Sequence, residues 1–342
     1  MRMTMRRIVR GMKGSAGRVH DTRSPRSRTR RGWRAAWLLP AGIGALAAGV
    51  GCAVRAQHEV DWGGRDGAAT EPELVQPGVV STAAEENFPA IDPVDGSLWY
   101  SAYTGERFSR QTLMRAPRDG DGWGAPAAVL QQPGDSWGAR APRFTADGAR
   151  LYVTSGRAIG DGAPPGDMNL WEYTRQGDGW SAPRPVPPPV RSPRPDMHAS
   201  LTRAGALYFA SRRDGGAGAA DIYRASRRAD GTWGAVERLP APVNDARSQP
   251  DLLVAPDGEW MILVVTNPPP GPGDDDLFVT RRVRGGWSVP ERLPAPINSP
   301  TYEYGPALSP DGTTLYFNSA RRGTADLYRV PLRALGLRTL GR

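Results

Sequence analysis

The chain has 342 residues, 39% of them hydrophobic, which is enough apolar material for a packed core, while 42 glycines and 34 prolines favour a fold rich in turns over a helical one. The formal charge of +9 suggests an anionic partner only until its distribution is read. Thirteen of the 44 Lys and Arg residues sit in residues 1–56 beside a single acid, Asp21; the remaining 31 bases face 34 acids, which excludes nucleic-acid binding by the folded body.

Residues 1–34 are Arg-rich, and an uncharged run from Ala35 to Ala53 follows. Charged, then apolar, then small residues is the order of an export signal. Its Gly content and Pro40 make a poor permanent membrane helix, although 19 uncharged residues just span a bilayer. Three endings compete: cleavage after Ala56, lipidation of Cys52, and uncleaved anchoring. Gly49-Val50-Gly51-Cys52 resembles a lipoprotein box, although Gly49 stands where the pattern has Leu; Arg30-Arg31 faintly resembles a twin-arginine signal. The long basic stretch allows a true start at Met12 or later. Cys52 is the single cysteine, so no internal disulfide forms. An extracytoplasmic location is expected, periplasmic or membrane-anchored through the N-terminus.

Beyond the leader one block recurs. Five turns, Asp95-Gly96, Asp147-Gly148, Ala204-Gly205, Asp257-Gly258 and Asp311-Gly312, lie at intervals of 52, 57, 53 and 54 residues. Each precedes a short apolar run: Leu98-Trp99-Tyr100, Leu151-Tyr152-Val153, Leu207-Tyr208-Phe209, Met261-Ile262-Leu263 and Leu315-Tyr316-Phe317. Such runs predict strands buried on both faces, and the Gly supplies the positive φ of a tight hairpin. A second hairpin follows, opening at Leu113, Leu170, Ile222, Leu277 and Leu327; in the first four copies it closes near Trp123, Trp180, Trp233 and Trp287. Pro-containing edge sequence such as Val289-Pro290-Glu291-Arg292-Leu293 comes next, as the missing N–H requires.

Four strands per unit of about 50 residues predict propeller blades. The fifth copy lacks its Trp strand, whereas Trp62 and Glu71-Pro72-Glu73-Leu74-Val75 precede the first. The expectation is an all-β, five-bladed β-propeller over residues 57–332, closed by the N-terminal strand, with a tail over 333–342; a sixth, degenerate blade is the alternative. Ser309-Pro310-Asp311-Gly312 with Leu315-Tyr316-Phe317, Ser319, Arg321 and Asp326-Leu327-Tyr328 resembles the TolB-type, WD-like repeat of bacterial envelope proteins over roughly residues 60–330. That resemblance implies a scaffold used with many partners.

Candidate chemistry competes with structural explanations. Gly134-Asp135-Ser136-Trp137-Gly138 matches a nucleophile elbow, but no helix pattern follows it. Asp119-Gly120-Asp121-Gly122 and Asp274-Asp275-Asp276 lack the spacing of a calcium loop, so no metal and no cofactor are expected. Arg212-Arg213 and Arg321-Arg322 suggest intra-blade pairs with Asp221 and Asp326. The repeat-locked tryptophans suggest packing between blades over a sugar platform.

One position varies where the scaffold is fixed: the start of the innermost strand, occupied by Glu86-Asn87, Ala139-Arg140, Asp196-Met197-His198, Arg247-Ser248-Gln249 and Glu303-Tyr304. Ring geometry brings these together at the channel mouth, so the expected ligand site comprises Glu86, Asn87, Arg140, Asp196, His198, Gln249, Glu303 and Tyr304. The expected function is a non-enzymatic, monomeric binding or assembly module for an envelope protein, peptide or glycan. The alternative is a glycoside hydrolase using Glu86, Asp196 and Glu303, which otherwise are solvated loop acids.

Overall fold

The computed structural model describes residues 70–103, 111–131, 138–160, 166–266 and 275–338, all within one unit spanning His58–Arg342. The leader with Cys52, Trp62, residues 134–137 of the elbow-like motif and Asp274 lie outside the described residues.

The repeats fold into five antiparallel four-stranded sheets, the blades of a β-propeller. Blade 1 comprises, from the axis outward, Glu86–Ile91, Leu98–Tyr103, Gln111–Ala116 and Ala127–Ala128. Blade 2 is Arg140–Phe144, Arg150–Ser155, Asn169–Gln176 and Arg184–Pro185. Blade 3 is Asp196–Leu201, Ala206–Ser211, Asp221–Ser226 and Glu237–Arg238. Blade 4 is Ser248–Val254, Trp260–Thr266, Asp275–Val283 and Glu291–Arg292. Blade 5 takes Glu303–Leu308, Thr314–Ser319 and Asp326–Pro331 from the end of the propeller sequence and Glu73–Leu74 from its beginning.

Period-two alternation along the second strand explains why its apolar runs have no polar face. Leu98 and Tyr100 pack toward Tyr316 and Leu327 of blade 5, while Trp99 between them packs with Leu151 and Val153 of blade 2. The other three interfaces repeat the arrangement, so five clusters separate five blades. The five turn glycines, Gly96, Gly148, Gly205, Gly258 and Gly312, all have φ between 67° and 81°.

The tryptophans sit on a short hairpin arm beyond the third strand, and the Pro-flanked pair after it forms the outer strand. An Arg lies over each ring: Arg118 on Trp123 at 5.5 Å, Arg175 on Trp180 at 4.4 Å, Arg227 on Trp233 at 5.4 Å and Arg282 on Trp287 at 4.6 Å. These four rings are packing residues.

The ring is closed by pairing of Glu73 with Arg329 and Leu74 with Tyr328, continued by Val75 N–H to Leu327 O at 2.8 Å. Residues 333–338, expected as a tail, are packed: Leu335 and Leu337 join the cluster between blades 4 and 5, and Trp260 Nε1 donates to Arg338 O at 2.7 Å. Apolar side chains two residues apart give this segment something to bury.

Candidate functional site

Every innermost strand carries a register shift at the same place, between Asn87 and Ala90, Arg140 and Arg143, Met197 and Ser200, Ser248 and Asp251, and Tyr304 and Ala307. Within these bulges Phe88, Ala141, His198 and Gly305 have φ of 55°, 52°, 52° and 63°. A left-handed non-Gly residue costs roughly 1–2 kcal/mol, so the conformation must be held from outside. Each N–H is anchored to the preceding blade: Phe88 to Asn318 Oδ1 at 2.8 Å, Ala141 to Ser101 Oγ at 3.2 Å, His198 to Thr154 Oγ1 at 3.1 Å and Gly305 to Asp251 Oδ2 at 3.1 Å. The bulges re-aim one or two side chains per blade toward the axis.

Glu86, Asp196 and Glu303 share one position, opposite Ala102, Ser211 and Ser319. They are not solvated: each is at most 2% exposed. The Asp196 carboxylate accepts from Ser192 N–H at 2.6 Å, Ser211 Oγ at 2.6 Å and Arg213 Nη2 at 2.8 Å. Glu303 accepts from Ser299 N–H at 2.8 Å and from Ser299 Oγ and Ser319 Oγ at 2.6 Å each, with Arg321 at 3.7 Å. Glu86 accepts from Thr82 Oγ1 at 2.6 Å and Thr82 N–H at 3.2 Å. A Ser or Thr four residues upstream thus ties the inter-blade link to the carboxylate. Burial nevertheless raises the pKa of Glu86 and of Glu303, making both weaker acids.

The mouth itself is a cavity of about 410 Å³. Of the expected residues, Asn87, Arg140, His198 and Tyr304 line it; Glu86, Asp196, Gln249 and Glu303 do not. Gln249 is buried beside Asp245, to which its Nε2 donates at 3.0 Å. Tyr304 Oη donates to Asn87 Oδ1, joining blades 5 and 1 across the wall. The structure adds Phe88, Tyr103, Gln111, Asp251, Asp275 and Tyr302.

Asp251 accepts from Leu252 N–H at 2.7 Å and Gly305 N–H at 3.1 Å. Burial outweighs these bonds and the nearby Arg143, and its carboxyl is pushed up to about 6. His198 Nδ1 lies 2.9 Å from Pro250 O, which can only accept, so Nδ1 carries the proton and Nε2 is an acceptor. Burial, with repulsion from Arg140 and Arg143, holds the ring well below its usual value and therefore neutral. Arg143, 6% exposed, donates to Pro89 O, Pro142 O and Pro306 O at 2.9–3.0 Å. It also lines a smaller cavity of about 140 Å³ at the other end of the channel. Among the described residues no group of acids, His and Cys is arranged to hold a metal ion.

No protein-family model and no curated protein matches the chain. Solved structures similar to it include a protein assigned as TolB from Agrobacterium tumefaciens (16% identity, TM-score 0.43, covering 74% of this chain and 77% of that one). Others are a protein of unknown function from Dyadobacter fermentans (13%, 0.48, 80% and 83%) and the α-L-arabinofuranosidase of Lactobacillus brevis (14%, 0.46, 74% and 92%). The propeller assignment rests on the strand pairing above.

Proposed function

We propose that this protein is a non-enzymatic binding module of the cell envelope whose ligand, part of a protein, peptide or glycan, enters the channel-mouth cavity. One observation carries this reading. Three blades contribute polar atoms that have no partner among the described residues, the Gln111 side-chain amide, Arg140 Nε and His198 Nε2, and the same cavity is walled by Phe88, Tyr302 and Tyr304. A buried polar group left without a partner costs about 1–3 kcal/mol, which a bound ligand offsets. Ala320 lies on the cavity wall, so Ala320→Trp fills the space while the polar residues themselves are left unchanged. The reading expects capture of partners from envelope extract to be lost in this variant while its melting temperature holds. Capture equal to wild type overturns it.

The hydrolase reading is supported by one pair. Asp251, with its raised carboxyl, shares the cavity with Asp275, and glycoside cleavage uses two carboxyl groups, one of them kept protonated. Both Asp251 oxygens already accept backbone N–H groups, which favours a latch over an acid catalyst. Turnover of aryl glycosides that is abolished by Asp251→Asn and by Asp275→Asn separately establishes the hydrolase; its absence leaves the binding module.

A further inference from the structure

Resting on the mouth-binding reading, we propose that the cavity is selective for a small carboxylic acid that also carries a hydroxyl or amino donor. The chemistry follows from which atoms lack partners. Arg140 makes one weak contact, Nη2 to Met197 Sδ at 3.8 Å, and no carboxylate of the described residues lies within ion-pair distance of it. The guanidinium is half-buried, feels Asp251 only at a distance and makes no ion pair among the described residues, and its planar donors match a carboxylate. Gln111, 6% exposed, adds amide donors and a carbonyl acceptor, none of them partnered among the described residues. His198, 7% exposed, adds the opposite requirement, because the neutral ring presents Nε2 as an acceptor. A bare carboxylate satisfies Arg140 and leaves His198 unmet; a neutral alcohol does the reverse. A molecule with both groups satisfies all three.

The apolar body has a place as well. The Phe88 ring stands 4.8 Å from His198 and 5.5 Å from Tyr304, centroid to centroid, so the polar atoms are bordered by aromatic faces. A cavity of about 410 Å³ holds a molecule of roughly amino-acid or monosaccharide size. The donor group decides between a hydroxy acid, sugar acids included, and an amino acid.

Calorimetric titration of the full chain tests this with 3-phenyllactate, phenylalanine and gluconate as the acids. 3-Phenylpropionate lacks the donor, and 3-phenylpropane-1,2-diol lacks the carboxylate. At least one acid binds, and the analogue missing either group binds roughly ten- to hundredfold more weakly. Phenyllactate against phenylalanine identifies the donor. Arg140→Met produces a similar loss without lowering the melting temperature, since an apolar replacement breaks no ion pair among the described residues and relieves the desolvation of the charge; Arg140→Lys retains part of the affinity. Acid and diol binding equally, or no acid binding at roughly 10 mM, overturns the inference. If Ala320→Trp abolishes binding while the analogues are indistinguishable, the mouth reading stands and the acid selectivity falls. Binding that ignores both Ala320→Trp and Arg140→Met removes both.

Discussion

Arg213 Nη2 donates to Asp196 Oδ1 at 2.8 Å, and the guanidinium lies over the Tyr223 ring at 4.7 Å. Blade 5 repeats the unit, with Arg321 beside Glu303 and over Tyr328 at 4.8 Å. In both, the serine two residues before the arginine donates to the same carboxylate. The intra-blade pair expected with Asp221 is therefore corrected, Arg213 and Arg321 serving Asp196 and Glu303, while Asp326 has Arg322 as its favourable charge. Asp221 instead meets Arg238 of the outer strand at 3.4 Å, and Asp276 meets Arg292 at 2.6 Å.

Removing such a carboxylate is therefore a folding defect. Asp196→Asn removes the charge that Arg213 faces and, with its amide oxygen toward Ser211 and Arg213, turns an NH2 group onto the Ser192 N–H; it is expected to cost about 2–3 kcal/mol. Glu303→Gln should behave alike, and both should shift the urea midpoint downward. A midpoint within error of wild type for both variants refutes the structural role of the shared position.

Deleting residues 57–80 removes the Glu73–Leu74 strand together with Val75 and Val80, which are 1% and 0% exposed. Loss of those two side chains alone is worth roughly 3–6 kcal/mol, and Asp326–Pro331 becomes an open edge. The truncated chain should aggregate or melt far below the intact one. Identical melting curves contradict closure by this strand.

Gly305 sits where a Cβ would come 2.4 Å from Asn318 Oδ1, at a φ of 63°. Asn318 is the anchor for blade 1, accepting from Phe88 N–H at 2.8 Å and donating to Glu86 O at 2.6 Å. Gly305→Ala should displace it and cost about 2 kcal/mol or more. Asn318→Ala should cost a comparable amount, and the double variant less than the sum, read by a denaturation cycle; strict additivity denies the coupling.

The pH dependence has a worked sign. The Asp251 carboxyl stands near 3.8 in the unfolded chain and about 6 in the folded one. Between these values the folded state holds the proton more tightly, so the contribution is complete below about pH 4 and lost as pH rises through about 6. At ~1.4 kcal/mol per pH unit the ceiling is about 3 kcal/mol. The difference in unfolding free energy between wild type and Asp251→Asn should fall accordingly from about pH 4 to 7. His198 acts oppositely: held neutral in the fold, its contribution is present above about 6.5 and lost as pH falls. A wild-type minus Asp251→Asn difference that stays flat over this range contradicts the raised carboxyl.

The repeat made the scaffold readable, because turn glycines, strand runs and tryptophans recur at one spacing and packing dictates all of them. The shared position of Glu86, Asp196 and Glu303 was readable for the same reason. Their burial was not, since it depends on Thr82, Ser192 and Ser299 folding back from the preceding link. Arg143 and Asp251 were missed because the bulge that brings them to the axis leaves no composition signal. Aligned on that bulge, their counterparts are Ala90, Ser200 and Ala307, and two charges in an otherwise small position were the clue available.

Closure by Glu73–Leu74 also orders events in time. The strand translated first waits for a partner translated last, so the flank of blade 1 around Leu98 and Tyr100 stays uncovered until Tyr316 and Leu327 arrive. A chain cut short before Pro331 cannot complete that seam, and displays an apolar surface and an unmatched strand to chaperones and proteases. The seam thus works as a checkpoint that tells whole molecules from fragments.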